Sequence, residues 1–228
     1  MSKQNELAQL ADAVTVSGSN VGIGTSSPDK KFVVSEGGAH GFEISPYDGN
    51  QNSTRLINYN RNTNAYFPLE IEASQIAFET NGTERMRIDS SGRVTKPNQP
   101  SFSVSKTGGA VGAGTFVVWN HVEHNVGSHY NTSNGIFTAP VSGVYAVSLN
   151  VMDESTSTHL NKQLNIYRNS YNYQRVYGTN GVASSHGRWT WSGNIYMSAN
   201  DTLKILVNDM TIYGNQRDYS NFSGFLVG

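Results

Sequence analysis

Hydrophobic and polar residues alternate in short runs along most of this chain, and the clearest run is Tyr130 to Val151, YNTSNGIFTAPVSGVYAVSLNV. From Val144 onward, Tyr145, Val147, Leu149 and Val151 share one face while Ala146, Ser148 and Asn150 share the other, the period of two that marks a half-buried strand. Asn134 and Gly135 tolerate positive φ and fix where the preceding apolar run begins. With Pro-Val-Ser-Gly as the turn between them, the two runs predict a hairpin. From Ser17 to Pro97 the alternation returns in shorter pieces: Phe32 to Val34, Phe42 to Ile44, Leu56-Ile57, Leu69 to Glu72, Ile76 to Phe78 and Met86 to Ile88. Turns at Asp48-Gly49, Asn81-Gly82 and Ser91-Gly92 separate them, which gives about one strand every ten residues. One copy of this region has too little apolar surface for its own core, whereas three copies wound together could share one. The period changes only in Met1 to Val16, where Leu7, Leu10 and Val14 fall three and then four apart. That spacing makes a narrow helical seam, too short to stand alone in water. It is either a frayed leader or a segment that orders against a partner.

Composition sharpens this picture. Charged residues make up 14% of the 228, glycine contributes 23, and aromatics reach 11% within a hydrophobic fraction of 36%. Such a chain builds its core from Tyr, Phe and Trp in many short strands and completes it by oligomerising. Its formal net charge of −1, without a basic stripe, excludes the phosphate neutralisation that nucleic acid demands. The absence of cysteine removes disulfides and thiolate metal sites, in keeping with folding in a reducing cytoplasm. The opening MSKQNELAQLADAV has no apolar signal-peptide core, and no run of about 18 apolar residues predicts membrane insertion. Asn-x-Ser/Thr triplets at Asn52, Asn81, Asn131, Asn200 and Asn221 are read as turn residues.

Candidate chemistry is sparse. Glu70 and Glu72 lie two apart on an expected strand, roughly 6 to 7 Å from each other, near the separation of a glycosidase pair. Alternation with Leu69 and Ile71 favours a solvent-facing strand edge instead. His121, His124 and His129 diverge across a strand and a glycine turn, so no metal and no cofactor is expected. The runs GGAVGAG (Gly108 to Gly114) and VGIGTS do not join a strand to a helix as a phosphate loop requires, which leaves a mobile loop. The best recognition candidate is the tyrosine-rich stretch Tyr171, Asn172, Tyr173, Arg175 and Tyr177, with Arg188 beyond it, because flat amphipathic rings beside Asn and Arg make adaptable binding surfaces. Core packing is the alternative for some of these rings. Trp189 and Trp191 share strand parity with Ile195 and Met197 and are assigned to core or subunit packing. In the closing SNFSGFLV, Phe222 and Leu226 point one way while Phe225 and Val227 point the other, so both faces need cover.

Tyr130-Asn131, Gly135-Ile136-Phe137-Thr138-Ala139-Pro140 and Gly143-Val144-Tyr145, in that order, resemble the globular head of the complement q subunit and its tumour-necrosis-factor-like relatives. Ser101 to Val104 resembles the family's opening strand, Phe116 to Asn125 (FVVWNHVEHN) its second, and Ser220 to Val227 its closing strand. Asn200-Asp201 stands where the family has Gly-Asp. Upstream, NVGIGTSSP (Asn20 to Pro28) and GTERMRIDSSGRV (Gly82 to Val94) resemble the shaft modules of bacteriophage tail fibres.

These resemblances imply an all-β chain: a short N-terminal helix or leader at 1–19, a thin trimeric β shaft at 20–97, and a C-terminal jelly-roll β-sandwich at 98–228 that forms a homotrimer. Phe102, Phe137, Tyr145, Phe222, Phe225 and Leu226 would supply the core or trimer interface. Leu7, Leu10 and Val14 would dock on a phage baseplate or tail protein, and the head would bind a host surface glycan. The expectation is a virion tail fibre, made in the host cytoplasm, that is a binding protein and not an enzyme. The alternatives are a polysaccharide-degrading tailspike and a non-viral secreted adhesive with the same head.

Overall fold

The computed structural model describes residues 13–35, 40–45, 54–155, 162–177 and 186–228, and these build an all-β protein. By compactness the chain divides between Ala73 and Ser74.

In the first unit β1 (Val14–Ser17), β2 (Asn20–Ile23), β3 (Phe32–Ser35), β4 (His40–Ser45), β5 (Arg55–Asn60) and β6 (Ala65–Tyr66) follow chain order in one sheet. Neighbours run antiparallel except β2 and β3, which are parallel. Val14 therefore opens a strand opposite Ile23 instead of closing a helical seam, because Val-Thr-Val is stiff at χ1 and suits a pleated sheet. Leu7, Leu10, Asn52 and the Asp48-Gly49 turn lie outside the described residues. The glycine segment expected to be a loop is strand β2, where a Cβ at Gly22 would meet the Thr25 carbonyl oxygen at 2.8 Å. Leu69 to Glu72 form no strand and stand exposed, since Pro68 before them lacks the N–H that a ladder needs. Among the described residues of this unit Val33 is the one buried hydrophobic side chain, while Val16, Leu56 and Tyr66 are mostly exposed. The buried Glu43 carboxylate is matched by Arg61 Nη2 at 2.5 Å, a charged pairing that offsets its lost hydration.

The second unit opens with a three-stranded sheet of β7 (Ile76–Thr80), β8 (Thr83–Ile88) and β9 (Val94–Thr95). Asn81 and Gly82, at φ of 51° and 69°, make the expected β7–β8 turn. The linker is fastened to the chain end, since Gln99 Nε2 donates to the Leu226 carbonyl at 2.8 Å and Leu226 N–H donates to Pro100 at 2.9 Å.

The remaining strands are β10 (Ser101–Ser105), β11 (Thr115–Phe116), β12 (His121–Val126), β13 (Tyr130–Asn131), β14 (Ile136–Thr138), β15 (Gly143–Met152), β16 (Gln163–Arg168), β17 (Tyr171–Tyr177), β18 (Arg188–Met197), β19 (Thr202–Val207) and β20 (Asn221–Leu226). They form a jelly roll of two sheets, ordered β12-β10-β20-β15-β18 and β13-β14-β19-β16-β17, with β11 added to β19. Phe102, Trp119, Phe137, Tyr145 and Phe222 fill the space between them and are almost fully buried. Ring centroids lie 4.6 Å apart for Phe102–Phe137 and 4.9 Å for Phe102–Phe222, the offset and edge arrangements that quadrupoles favour. Leu226 packs half-buried against this core. Phe225 does not belong to it: parity turns the ring outward, 53% exposed.

Three sequence readings of the head are corrected. Tyr130 to Val151 is not a hairpin, because β14 pairs with β13 and β19 whereas β15 pairs with β18 and β20. The Pro-Val-Ser-Gly turn instead carries the chain between sheets, and Tyr145 Oη, donating to the Val141 carbonyl at 2.9 Å, ties that crossing. FVVWNHVEHN is not one strand, since β11 joins β19 and β12 joins β10. Between them Val117 and Trp119 are buried, with Val117 N–H donating to Ile205. The glycine run expected to be mobile is pinned by reciprocal bonds between Val111 and Ile212, at 3.1 and 2.8 Å.

Candidate functional site

The tyrosine-rich stretch is a strand, not a loop. Its alternation is Tyr171 and Tyr173 outward with Val176 buried, and a tight reversal at Asn169 (φ 56°) sets β17 beside β16. Asn169 holds that reversal, its Nδ2 donating to Asp201 Oδ1 at 2.7 Å and its Oδ1 accepting from Thr202 N–H at 2.8 Å. Asp201 also accepts from Ser198 N–H at 3.0 Å. The bonds from Asn169 and Ser198, with the nearby Arg168 charge, hold the Asp201 carboxyl below its ordinary range.

Arg168 ends β16 directly across from Tyr171. The register slips between Ile166 and Tyr167, which leaves Tyr173 without an opposite residue, and such a bulge re-aims a side chain. Both rings consequently converge on one cation: the Arg168 Cζ lies 5.2 Å from the Tyr171 centroid and 5.7 Å from that of Tyr173. Each contact is worth about 0.5–1 kcal/mol at an exposed site. Arg168 Nη1 donates to the Tyr196 carbonyl of β18 at 2.8 Å, so the open edges of the two sheets meet at this residue. Tyr171, Tyr173 and Tyr196 remain 44%, 36% and 59% exposed. Alongside, with its amide turned to donate to Gln174 O, Asn172 accepts from Arg175 Nε at 3.2 Å.

The sequence-predicted residues are thus only partly assembled. Tyr171 and Tyr173 share a cation and Asn172 meets Arg175, but Tyr177 lies six residues along the strand, roughly 20 Å away. Arg188 begins β18, next to Trp189, whose Nε1 donates to the Lys162 carbonyl at 3.3 Å, toward that far end. Residues 178–185 of the expected recognition segment lie outside the described residues.

A second surface is the outer face of the five-stranded sheet. Ser103, Ala146, Ser148, Ser192, Asn194, Ser223 and Phe225 line a shallow concavity of about 510 Å³, with His124 at one edge. Small polar side chains and one protruding aromatic leave room there for another surface.

Residues 101–227 match the C1q domain. The chain belongs to the C1q domain family. Human (Homo sapiens) Complement C1q tumor necrosis factor-related protein 3 is 25% identical over 115 residues, covering 49% of this chain and 44% of that protein. Zebrafish (Danio rerio) Caprin-2 is 26% identical over 111 residues, covering 49% and 12%. The chain spans less than half the length of these curated relatives. Among solved structures, the Globular Domain of Zebrafish Complement 1qA protein aligns with a TM-score of 0.46 at 17% identity, covering 57% of this chain and 98% of that one. Eiger TNF from S. frugiperda aligns with a TM-score of 0.46 at 10% identity, covering 57% and 94%.

Within this C1q head, sequence reasoning left Arg168 and Tyr196 out of the site. Arg168 lies inside the tyrosine-rich segment but its role depends on a bulge, and Tyr196 was legible only as an outward position in the alternation of Arg188 to Met197. Trp189 is buried and Trp191 packs half-buried on the C1q core. His121 Nε2 lies 3.0 Å from Glu123 Oε1, while His124 and His129 stand apart from them. Among the described residues no three His, Cys, Asp or Glu gather as metal ligands. Glu70 and Glu72 stand on the exposed unpaired segment after Pro68, away from any strand face that would aim them at one bond.

Proposed function

We propose that this chain is a homotrimeric adhesive, not an enzyme, whose C1q head recognises a cell-surface glycan along β17. The observation that carries the reading is the C1q head over residues 101–227, together with a recognition strip of exposed tyrosines around Arg168. Association of three copies is supported by Phe225 protruding from the outer sheet face and by a first unit with almost no buried apolar surface of its own. The relatives named above are animal proteins, two of the matched proteins bear complement names, and they favour a non-viral secreted adhesive.

The second reading is a bacteriophage tail fibre in which residues 1–19 dock on a baseplate or tail protein and residues 20–97 form a shaft. It rests on the segments Asn20 to Pro28 and Gly82 to Val94, which form β2 with its following turn and the β8–β9 hairpin. Mass spectrometry of purified phage particles decides for the virion if the chain is found there, and recovery from the medium of producing cells decides for the secreted protein.

Recognition itself is tested by Tyr171→Ala with Tyr173→Ala. Single-site affinity near millimolar, about 4 kcal/mol, is raised by three heads acting together by a factor on the order of a hundred. The double variant should lose at least about tenfold in retention on a glycan array or on cells that the parent chain binds. Its melting should stay within about 0.5 kcal/mol, since both rings are exposed. Unchanged retention places recognition elsewhere on the head.

A further inference from the structure

We infer that the Arg168 cluster is a subsite for a carboxylated pyranose, a sugar of the uronic-acid type. This rests on the assignment of recognition to β17 and names the ligand class it takes. A guanidinium carries five N–H donors, and among the described residues Arg168 makes one hydrogen bond, from Nη1 to Tyr196. Its Nε is covered and meets no acceptor. A cation held between two ring faces with donors left over is half of a charged fork, and a planar carboxylate supplies the other half.

The rings define the rest of the ligand. Tyr171 and Tyr173 offer flat, partly apolar faces to the C–H side of a sugar ring, and the exposed Tyr196 borders them from the other sheet. Arg175 adds positive charge one strand position away, and Lys204 adds more below, its Nζ 4.1 Å from the Phe116 ring that packs on Tyr167. Asp201 is the opposing charge, and it is engaged by Asn169 and Ser198 at the turn. The chain as a whole carries a net charge of −1, so retention of an acidic polymer must come from a local site and not from bulk attraction. A neutral hexose would gain the ring contacts alone.

The test uses the full chain on sensor surfaces bearing polygalacturonate, its methyl ester and polyglutamate at physiological salt. The parent chain should bind polygalacturonate at least about tenfold more tightly than the ester, and more tightly than polyglutamate. Arg168→Gln should remove the preference for the acid, and Arg168→Lys, which keeps charge but not the fork, should restore only part of it. Tyr173→Ala, at an exposed position, should lower binding to both sugar polymers. Equal binding of acid and ester overturns the carboxylate subsite while leaving glycan recognition at β17 intact. Polyglutamate bound as tightly as polygalacturonate overturns the sugar. Arg217→Gln, at an exposed arginine outside the cluster, lowering binding as much as Arg168→Gln would reveal general polyanion adsorption and overturn the site. If none of the β17 variants changes binding to any surface, β17 recognition falls with the subsite.

Discussion

A Phe225→Asp chain is expected to sediment as a single copy where the parent sediments as three. Phe225 sits near the middle of the five-stranded sheet, opposite Ala146 on β15 and Ser101 on β10, with its ring outward. In one isolated chain the new carboxylate stays hydrated, so circular dichroism of the fold should be unchanged. Across a three-copy contact the same change removes three buried rings at about 1.5–3 kcal/mol each. It also places three like charges where hydration is lost, at several kcal/mol per ion. The sum is many decades in association constant, well beyond what the rest of the face could offset. A persistent three-chain species would show that this sheet is a free surface and that the copies meet elsewhere.

Gly135→Ala should cost the head about 2–5 kcal/mol of unfolding free energy, read by chemical denaturation. Gly135 has φ of 75°, where a Cβ is strained by about 1–2 kcal/mol. That Cβ would press on the Val117 carbonyl oxygen and lie 3.1 Å from Val118 Cα. Val117 is fully buried and bonded to Ile205, so the backbone it meets has no room to retreat, and overpacking adds about 1–3 kcal/mol. Gly112→Ala, with open space around it, is the control and should be nearly neutral. A loss below about 1 kcal/mol at Gly135 would mean that the 131–135 loop moves aside.

What could be read from the sequence was parity, and what could not was pairing. The alternation at Tyr145, Val147, Leu149 and Val151 placed four side chains in the core correctly, and the offset of Phe222 and Phe225 in SNFSGFLV separated core from surface. The same alternation is silent on whether a strand pairs with its neighbour or crosses to the other sheet, which is why Tyr130 to Val151 was misread as a hairpin. Asn200, at φ of 71°, adopts the left-handed turn for which the family uses glycine, as Asn can without much strain. In the site, the ring-rich composition of β17 was visible, but the convergence of Tyr171 and Tyr173 on Arg168 depends on a one-residue register slip that no local pattern announces. Leu69 to Glu72 failed as a strand because one proline outweighs four residues of correct alternation.

The last strand of the chain is central in its sheet. β20 lies between β10, the first strand of the head, and β15, and it bonds to both along its length. During synthesis, everything up to Tyr219 can leave the ribosome while the five-stranded sheet still has a gap at its centre and Phe102 lacks the ring it packs against. The head can therefore close only after translation ends, and the outward ring of Phe225 is created in that same final step. A prematurely terminated product would have neither a finished core nor a face with which to poison the assembly of complete chains, so the topology itself acts as a check on full-length synthesis.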